Sequence, residues 1–297
     1  IGVFTNLSGD HLDYHGSVDS YLQAKMKLFD LVSTAAVINM DDPASWSVAE
    51  RASAKVLSCR TESDAATAWV EILKEELDGS HIRLHGEWGT IEVQLPLIGR
   101  HNAINALQAA VAAFELGVNS EQIRNAILSA KSPPGRLERV NVVHSNVFVD
   151  FAHTDDALEQ MLWSIRKVMP EGGKLHVVFG CGGDRDKSKR PRMGCVASTV
   201  GDLAYATSDN PRSEDPDAIL DEVIAGVPKD RLPLVTRIID REVAIRTAIA
   251  SAADCDVVVI AGKGHEKNQI LKDKVIPFDD VQVAHAALEK AQMGNGI

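Results

Sequence analysis

The four cysteines in these 297 residues (Cys59, Cys181, Cys195 and Cys255) stand far apart, and none forms a C-x-x-C pair. That spacing argues against a zinc site or a disulfide framework and for reduced thiols in a cytosol. No apolar run approaches the roughly 20 residues of a membrane span, and no signal peptide opens the chain. The expected setting is cytoplasmic. Excess positive charge is missing too: the net charge is −11 and the pI is near 5.4. Nucleic acid and anionic membrane are therefore excluded as main partners, although a local cluster of Arg and Lys can still hold a small anion. Neither G-x-G-x-x-G nor G-x-x-x-x-G-K-[ST] occurs. Any chemistry on ATP thus needs a phosphate loop that these residues do not supply.

Hydrophobic residues make up 45% and charged residues 25%, the usual mix for a globular protein long enough for two domains. Ile1 to Leu7 reads as the end of a buried strand without an initiator Met, so the chain is expected to begin within a domain. Ser17 to Val32 suits an amphipathic helix with Ser17 as N-cap. Ala35 to Met40 is a short apolar strand ending in the turn signal Asp41-Asp42-Pro43. His81 to Leu95 alternates as a hairpin with Glu87-Trp88-Gly89 near its turn. Asn102 to Leu116 is an Ala-rich helix closed by Gly117. Lys131-Ser132-Pro133-Pro134-Gly135 breaks the pattern, which places one domain over 1–132 and a second over 133–297.

In the second domain apolar runs alternate with helical stretches: Val147–Phe151, Leu175–Phe179, Leu203–Thr207, Leu234–Ile239 and Val257–Ala261. This rhythm predicts an α/β, mostly parallel sheet with helices on its faces, whose ligands bind beyond the strands' carboxyl ends. Four polar clusters follow those ends: Asp150-Phe151-Ala152-His153, Gly180 to Arg190, Ser208-Asp209-Asn210-Pro211-Arg212 and Gly262-Lys263-Gly264-His265-Glu266. They read as one site.

Three constellations carry chemistry. Asp10-His11-Leu12-Asp13-Tyr14-His15-Gly16 precedes a helix on which Tyr21, Lys25, Leu28, Phe29 and Val32 share a stripe. A lysine there either snorkels its amine outward or is desolvated and captures carbon dioxide. The resulting carbamate is a long-armed carboxylate suited to Mg²⁺, with His11 a second ligand or a structural residue. Asn102 and Asn105 lie one turn apart at a helix start, where they could read an adenine edge or, for Asn102, cap the helix. Gly180 to Lys187 is a glycine-rich strand-to-helix loop that favours anions. Arg212 and Arg185 supply guanidiniums for carboxylates, and Asp209 and Glu266 can hold ammonium groups. Arg212 could instead be a surface ion pair after a turn.

Together, and in order, these segments with Gly135-Arg136-Leu137-Glu138 resemble the Mur ligases over essentially the whole chain, in the branch that adds meso-diaminopimelate. The resemblance implies the remainder of a P-loop-type central ATPase domain followed by a Rossmann-like amino-acid-binding domain, without the UDP-binding domain and phosphate loop. It implies an ATP- and Mg²⁺-dependent amide ligase in peptidoglycan synthesis. Its partners would be a UDP-N-acetylmuramoyl dipeptide and meso-diaminopimelate. Lys25 would be carbamylated and, with His11, catalytic and metal-binding. Asn102 and Asn105 would face adenine, while Arg136, Asp150 and His153 would contact ATP. Arg185, Asp209, Asn210, Pro211, Arg212, Gly262 and Glu266 would bind the amino acid. The sequence departs from the family pattern with Gly9 before the Asp-His pair, Asp155 in place of a Pro, and Asn268 in place of an aromatic. The alternatives are a folylpolyglutamate synthetase, which gives no reason for Asp209-Asn210-Pro211-Arg212, and a fragment that binds without turning over.

Overall fold

The computed structural model describes residues 1–7, 12–142 and 145–294. It divides into two compact units, Ile1–Lys131 and Ser132–Ile297.

The first unit holds strands β1 (Gly2–Phe4), β2 (Ala35–Asn39), β3 (Lys55–Thr61), β4 (Ala68–Glu76), β5 (Gly79–Gly86) and β6 (Gly89–Leu95) in one sheet of that order. Pairing is parallel from β1 to β4 and antiparallel from β4 to β6. Helices α1 (Leu12–His15), α2 (Val18–Asp30), α3 (Ser45–Arg51), α4 (Arg100–Glu115) and α5 (Ser120–Leu128) complete it. Strand β2 is buried on both faces, as its unbroken apolar run requires. Ala35 and Val37 meet Leu107 and Val111 of α4, while Ala36 and Ile38 join Met26 and Phe29 of α2 on the other side.

The seam of α2 differs from the expected stripe. Met26 and Phe29 are buried, whereas Leu28 is 47% exposed. Leu22, Met26 and Phe29 fall at i, i+4 and i+7 and face the sheet. Lys25 is therefore at the edge of the seam, half-buried.

The second unit holds β7 (Glu138–Arg139), β8 (Val147–Asp150), β9 (Leu175–Cys181), β10 (Leu203–Ser208), β11 (Val235–Arg237) and β12 (Val257–Ala261). Their order is β11-β10-β9-β12-β8-β7, parallel except for the β7–β8 pair. The chain steps outward from β9 to β11 and then returns to insert β12 between β9 and β8. Helices α6 (Asp155–Arg166), α7 (Lys189–Val200) and α8 (Pro216–Ile224) pack in sequence against one face. The other face buries Val147, Val149, Val178 and Ile260 against α9 (Arg241–Ser251) and α10 (Asp280–Gly294). A short antiparallel pair, β13 (Asn268–Ile270) and β14 (Val275–Pro277), follows β12. Among the described residues no helix is long and apolar enough to cross a membrane.

Candidate functional site

Because β8, β12, β9 and β10 are neighbours and parallel, the segments after them emerge on one edge of the sheet. The structure brings the clusters after β9, β10 and β12 into direct contact. Asn210 Nδ2 donates to Glu266 Oε2 at 2.8 Å. Lys263 Nζ donates to Asn210 Oδ1 at 3.1 Å and to Glu266 Oε2 at 2.9 Å. Burial pushes the Glu266 carboxyl up, but the bonds from Lys263 and Asn210 outweigh it and hold the group below its ordinary value. Glu266 is thus an anion at neutral pH.

Arg212 adopts φ 50°, a left-handed backbone uncommon for a residue with a side chain. Its N–H donates to Ile270 O at 3.1 Å, and its Nη1 donates to Gly183 O at 2.7 Å and to Asn210 O at 3.4 Å. Gly182 shows how close the second arginine comes. A Cβ there would lie 2.9 Å from Arg212 Nη1 and 3.9 Å from Arg185 Cγ. Gly262, at φ 116°, leaves room for Asp209, whose Oδ2 would be 2.7 Å from an added Cβ. Asp209, Asn210 and Pro211 are buried, Arg212 and Glu266 half-buried, and Arg185 exposed. The rim therefore carries the Arg212 guanidinium and the carboxylates of Asp209 and Glu266, the latter paired with Lys263, with Arg185 on the adjoining loop.

The turn before β7 packs on the same rim. Gly135 (φ 69°) has no room for a side chain, since a Cβ would lie 2.1 Å from His265 N. Arg136 sits over the Phe151 ring at 5.0 Å, and His153 and His265 flank that ring at 4.7 and 5.0 Å. Both Asp150 oxygens are engaged by backbone, Oδ2 by Leu137 N and Oδ1 by Ala152 N, each at 2.7 Å. Burial raises its pKa. In this structure Asp150 clamps the turn that presents Arg136.

Glu214 ties two rim segments together. It accepts from Arg190 Nη2 at 2.9 Å, from Asp184 N at 2.6 Å and from Lys187 at 2.9 Å. The sequence reading names Lys263 only within its cluster, without a role, and does not name Glu214. A lysine between two glycines after a buried strand is the one signal available for Lys263, and Glu214 has none.

In the first unit, helix α4 starts at Gly99 (φ 97°) with no side-chain cap. Asn102 donates its Nδ2 to Ile98 O at 2.8 Å, so the capping alternative for Asn102 is corrected: the glycine makes the turn itself. A cleft of about 390 Å³ opens between α4 and α5, walled by Leu95, Leu97, Ala110 and Ile123, with Asn102, Asn105 and Gln122 the amide-bearing residues in its lining. Asn102 Oδ1 remains an acceptor. Lys25 Nζ lies 4.8 Å from the Tyr21 ring centroid, whereas His11 falls outside the described residues. Of the departures, Asp155 opens α6 and pairs with Arg192 at 2.9 Å, and Asn268 is exposed at the start of β13.

Comparison with known proteins defines the class. Residues 1–113 match the Mur ligase middle domain, and residues 135–264 match the Mur ligase glutamate ligase domain. The chain belongs to the Mur ligase family. Among its relatives, the UDP-N-acetylmuramoyl-L-alanyl-D-glutamate--2,6-diaminopimelate ligase of Nostoc sp. (strain PCC 7120) is 44% identical over 298 residues, covering 98% of this chain and 59% of the relative. The protein of that name from Syntrophomonas wolfei is 43% identical over 291 residues, covering 96% and 58%. A solved structure titled as the same ligase matches at 34% identity and TM-score 0.70, over 98% of this chain and 60% of that one. A folylpolyglutamate synthase from Thermotoga maritima shares the fold at 17% identity and TM-score 0.66, over 99% of this chain and 61% of that one. The chain spans about 59% of the length of the first relative.

Proposed function

We propose that the chain is the amino-acid-selecting and adenine-binding part of an ATP-dependent amide ligase. The enzyme would add meso-diaminopimelate to UDP-N-acetylmuramoyl-L-alanyl-D-glutamate in the cytoplasm. The observation that carries the reading is the rim of the second unit, where Arg212 and Arg185 approach one residue, Gly182, while Asn210 and Glu266 are bonded to each other. The likeness to a folylpolyglutamate synthase is confined to the fold.

In the reaction, the γ-phosphoryl group of ATP passes to the dipeptide carboxylate, giving an acyl phosphate and ADP. The amine of diaminopimelate attacks the acyl carbon, the amide C–N bond forms, and inorganic phosphate leaves with the electron pair of the C–O bond. The residues of the rim bind and orient that amine's owner. Arg212 has Nε and Nη2 unused by Gly183 and can pair bidentately with a carboxylate, and Arg185, exposed on the loop after β9, would supply a second guanidinium. Glu266 and Asp209 hold ammonium groups. Arg136, presented over Phe151, supplies a positive group for ATP, with His153 beside it. In the first unit the α4–α5 cleft fits a flat, largely apolar heterocycle, and Asn102 Oδ1 would accept from an exocyclic amine such as that of adenine. Mg²⁺ would neutralise phosphate charge, and a carbamate on Lys25, with His11, would be its protein ligands. The α4–α5 cleft supports the adenine reading and the rim of the second unit supports the amino-acid reading. They do not include a loop for the phosphates.

The test is calorimetric titration of the 297-residue chain with meso-diaminopimelate and with L-lysine. Preferential binding of diaminopimelate supports the reading; equal affinity, or none, rejects it.

A further inference from the structure

Lys263 is fully buried, with 0% of its surface exposed, yet it carries a charged amine. An ammonium in such a place needs partners, and it has two: Asn210 Oδ1 and Glu266 Oε2. Ile270 N also donates to Asn210 Oδ1, at 2.9 Å. Both donors approaching that atom have hydrogens only to give, so the atom must be the amide oxygen. The amide nitrogen is thereby turned onto Glu266 Oε2. Glu266 Oε2 then accepts two bonds, while Oε1 accepts none among the described residues. The Glu266 side chain is 36% exposed, against 0% for Lys263.

We propose that Lys263 is a positioning residue of the amino-acid site: its buried ammonium fixes the amide orientation of Asn210 and the rotamer of Glu266, so that Glu266 Oε1 is presented to an ammonium group of the incoming amino acid. The inference rests on the reading of this rim as the diaminopimelate site. Without the ammonium, Asn210 Oδ1 keeps only the Ile270 donor, and Glu266 Oε2 loses its charged partner. The amide can then flip, and the carboxylate can swing to expose either oxygen. Lys263 itself is buried and acts through the other two.

The experiment has two arms on the full 297-residue chain. In the first, affinity for meso-diaminopimelate is measured for wild type, Lys263→Met, Glu266→Gln and the double variant. Lys263→Met is expected to weaken binding roughly tenfold, on the scale of one charged hydrogen bond, but to cost less than about twofold more in the Glu266→Gln background, because the lysine acts through that glutamate. Equal losses in both backgrounds, or no loss, overturn the proposal. The second arm needs no ligand and no variant of Lys263. In wild type the side-chain amide protons of Asn210, assigned by NMR against Asn210→Asp, should exchange slowly and lie closer to the Glu266 γ-methylene than to the Lys263 ε-methylene. Free exchange without that proximity to Glu266 overturns the proposal even if Lys263→Met fails to fold. If wild type binds no diaminopimelate, the functional reading fails, and the second arm still decides the role of Lys263.

Discussion

Arg212 combines a strained backbone with a half-used side chain. Its φ of 50° is held by Ile270 O and by the tie from Nη1 to Gly183 O, which leaves the remaining guanidinium donors for a ligand. A charged hydrogen bond is worth about 1.5–3 kcal/mol, so Arg212→Ala should weaken meso-diaminopimelate roughly 10- to 150-fold. Lysine, which lacks the distal carboxylate, should lose much less. Calorimetry with both amino acids checks this, and equal losses would reject Arg212 as the discriminating residue. Glu214 makes a prediction in pH. Arg190 foremost, then Asp184 N–H and Lys187, hold its carboxyl at about 2 against an ordinary 4.5. A depressed folded pKa gives stability that is complete above the unfolded value and lost as pH falls through the folded one. Wild type should therefore lose stability between pH 4.5 and about 2 more steeply than Glu214→Gln, as urea unfolding at a series of pH values would show. Parallel profiles would mean that the Glu214 bonds do not persist in solution.

Between elements, the most consequential polar contact joins α9 to α10. Arg241 at the start of α9 pairs with Asp280 at the start of α10 through two bonds, of 2.8 and 2.7 Å, with both side chains 0% exposed. Arg241 also donates to Ala261 O, the last residue of β12, at 3.0 Å. The pair thus fixes both helices to the strand that delivers Gly262 and Lys263. Removing one partner strands a buried charge, whereas replacing both removes the problem. Arg241→Met should cost about 3–5 kcal/mol in urea unfolding, and adding Asp280→Leu should recover most of it. A double variant no more stable than the single one would contradict this account of the pair. The same logic explains why Gly135 and Gly262 are glycines: the segments they sit in press backbone against neighbouring residues of the rim.

At the scale of the whole molecule, the proposed reaction uses ATP. These 297 residues contain no Walker-type loop, and backbone N–H groups of such a loop are what cradle β- and γ-phosphates. The purified chain is expected to show no Mg²⁺-dependent ATP hydrolysis above the buffer blank in a coupled assay. Sustained hydrolysis that co-purifies with the chain would overturn that expectation. Amino-acid binding should persist, because the rim is built wholly from the second unit, Ser132–Ile297.

The parallel sheet of the second unit was legible because strands buried on both faces must be continuous apolar runs, and Val147–Asp150 and Val257–Ala261 are such runs. The clusters following them were legible for the same reason, since a parallel sheet sends every carboxyl end to one edge. Strands β3 and β4 were not: Lys55–Thr61 and Ala68–Glu76 mix polar and apolar residues, and β4 is stabilised by pairing with β5 beyond its own sequence. The orientation of α2 escaped for a related reason, because two seams fit its pattern and packing against the sheet chose the one through Met26 rather than Leu28. Local chemistry set which residues reach the rim. Which of them touch was decided by strand order. Asn210 and Lys263 are 53 positions apart, and they meet because β12 returns to lie beside β9, which is itself paired with β10. No local propensity encodes that return; it follows from burying the apolar strand β12 at the centre of the sheet, where both of its faces are covered.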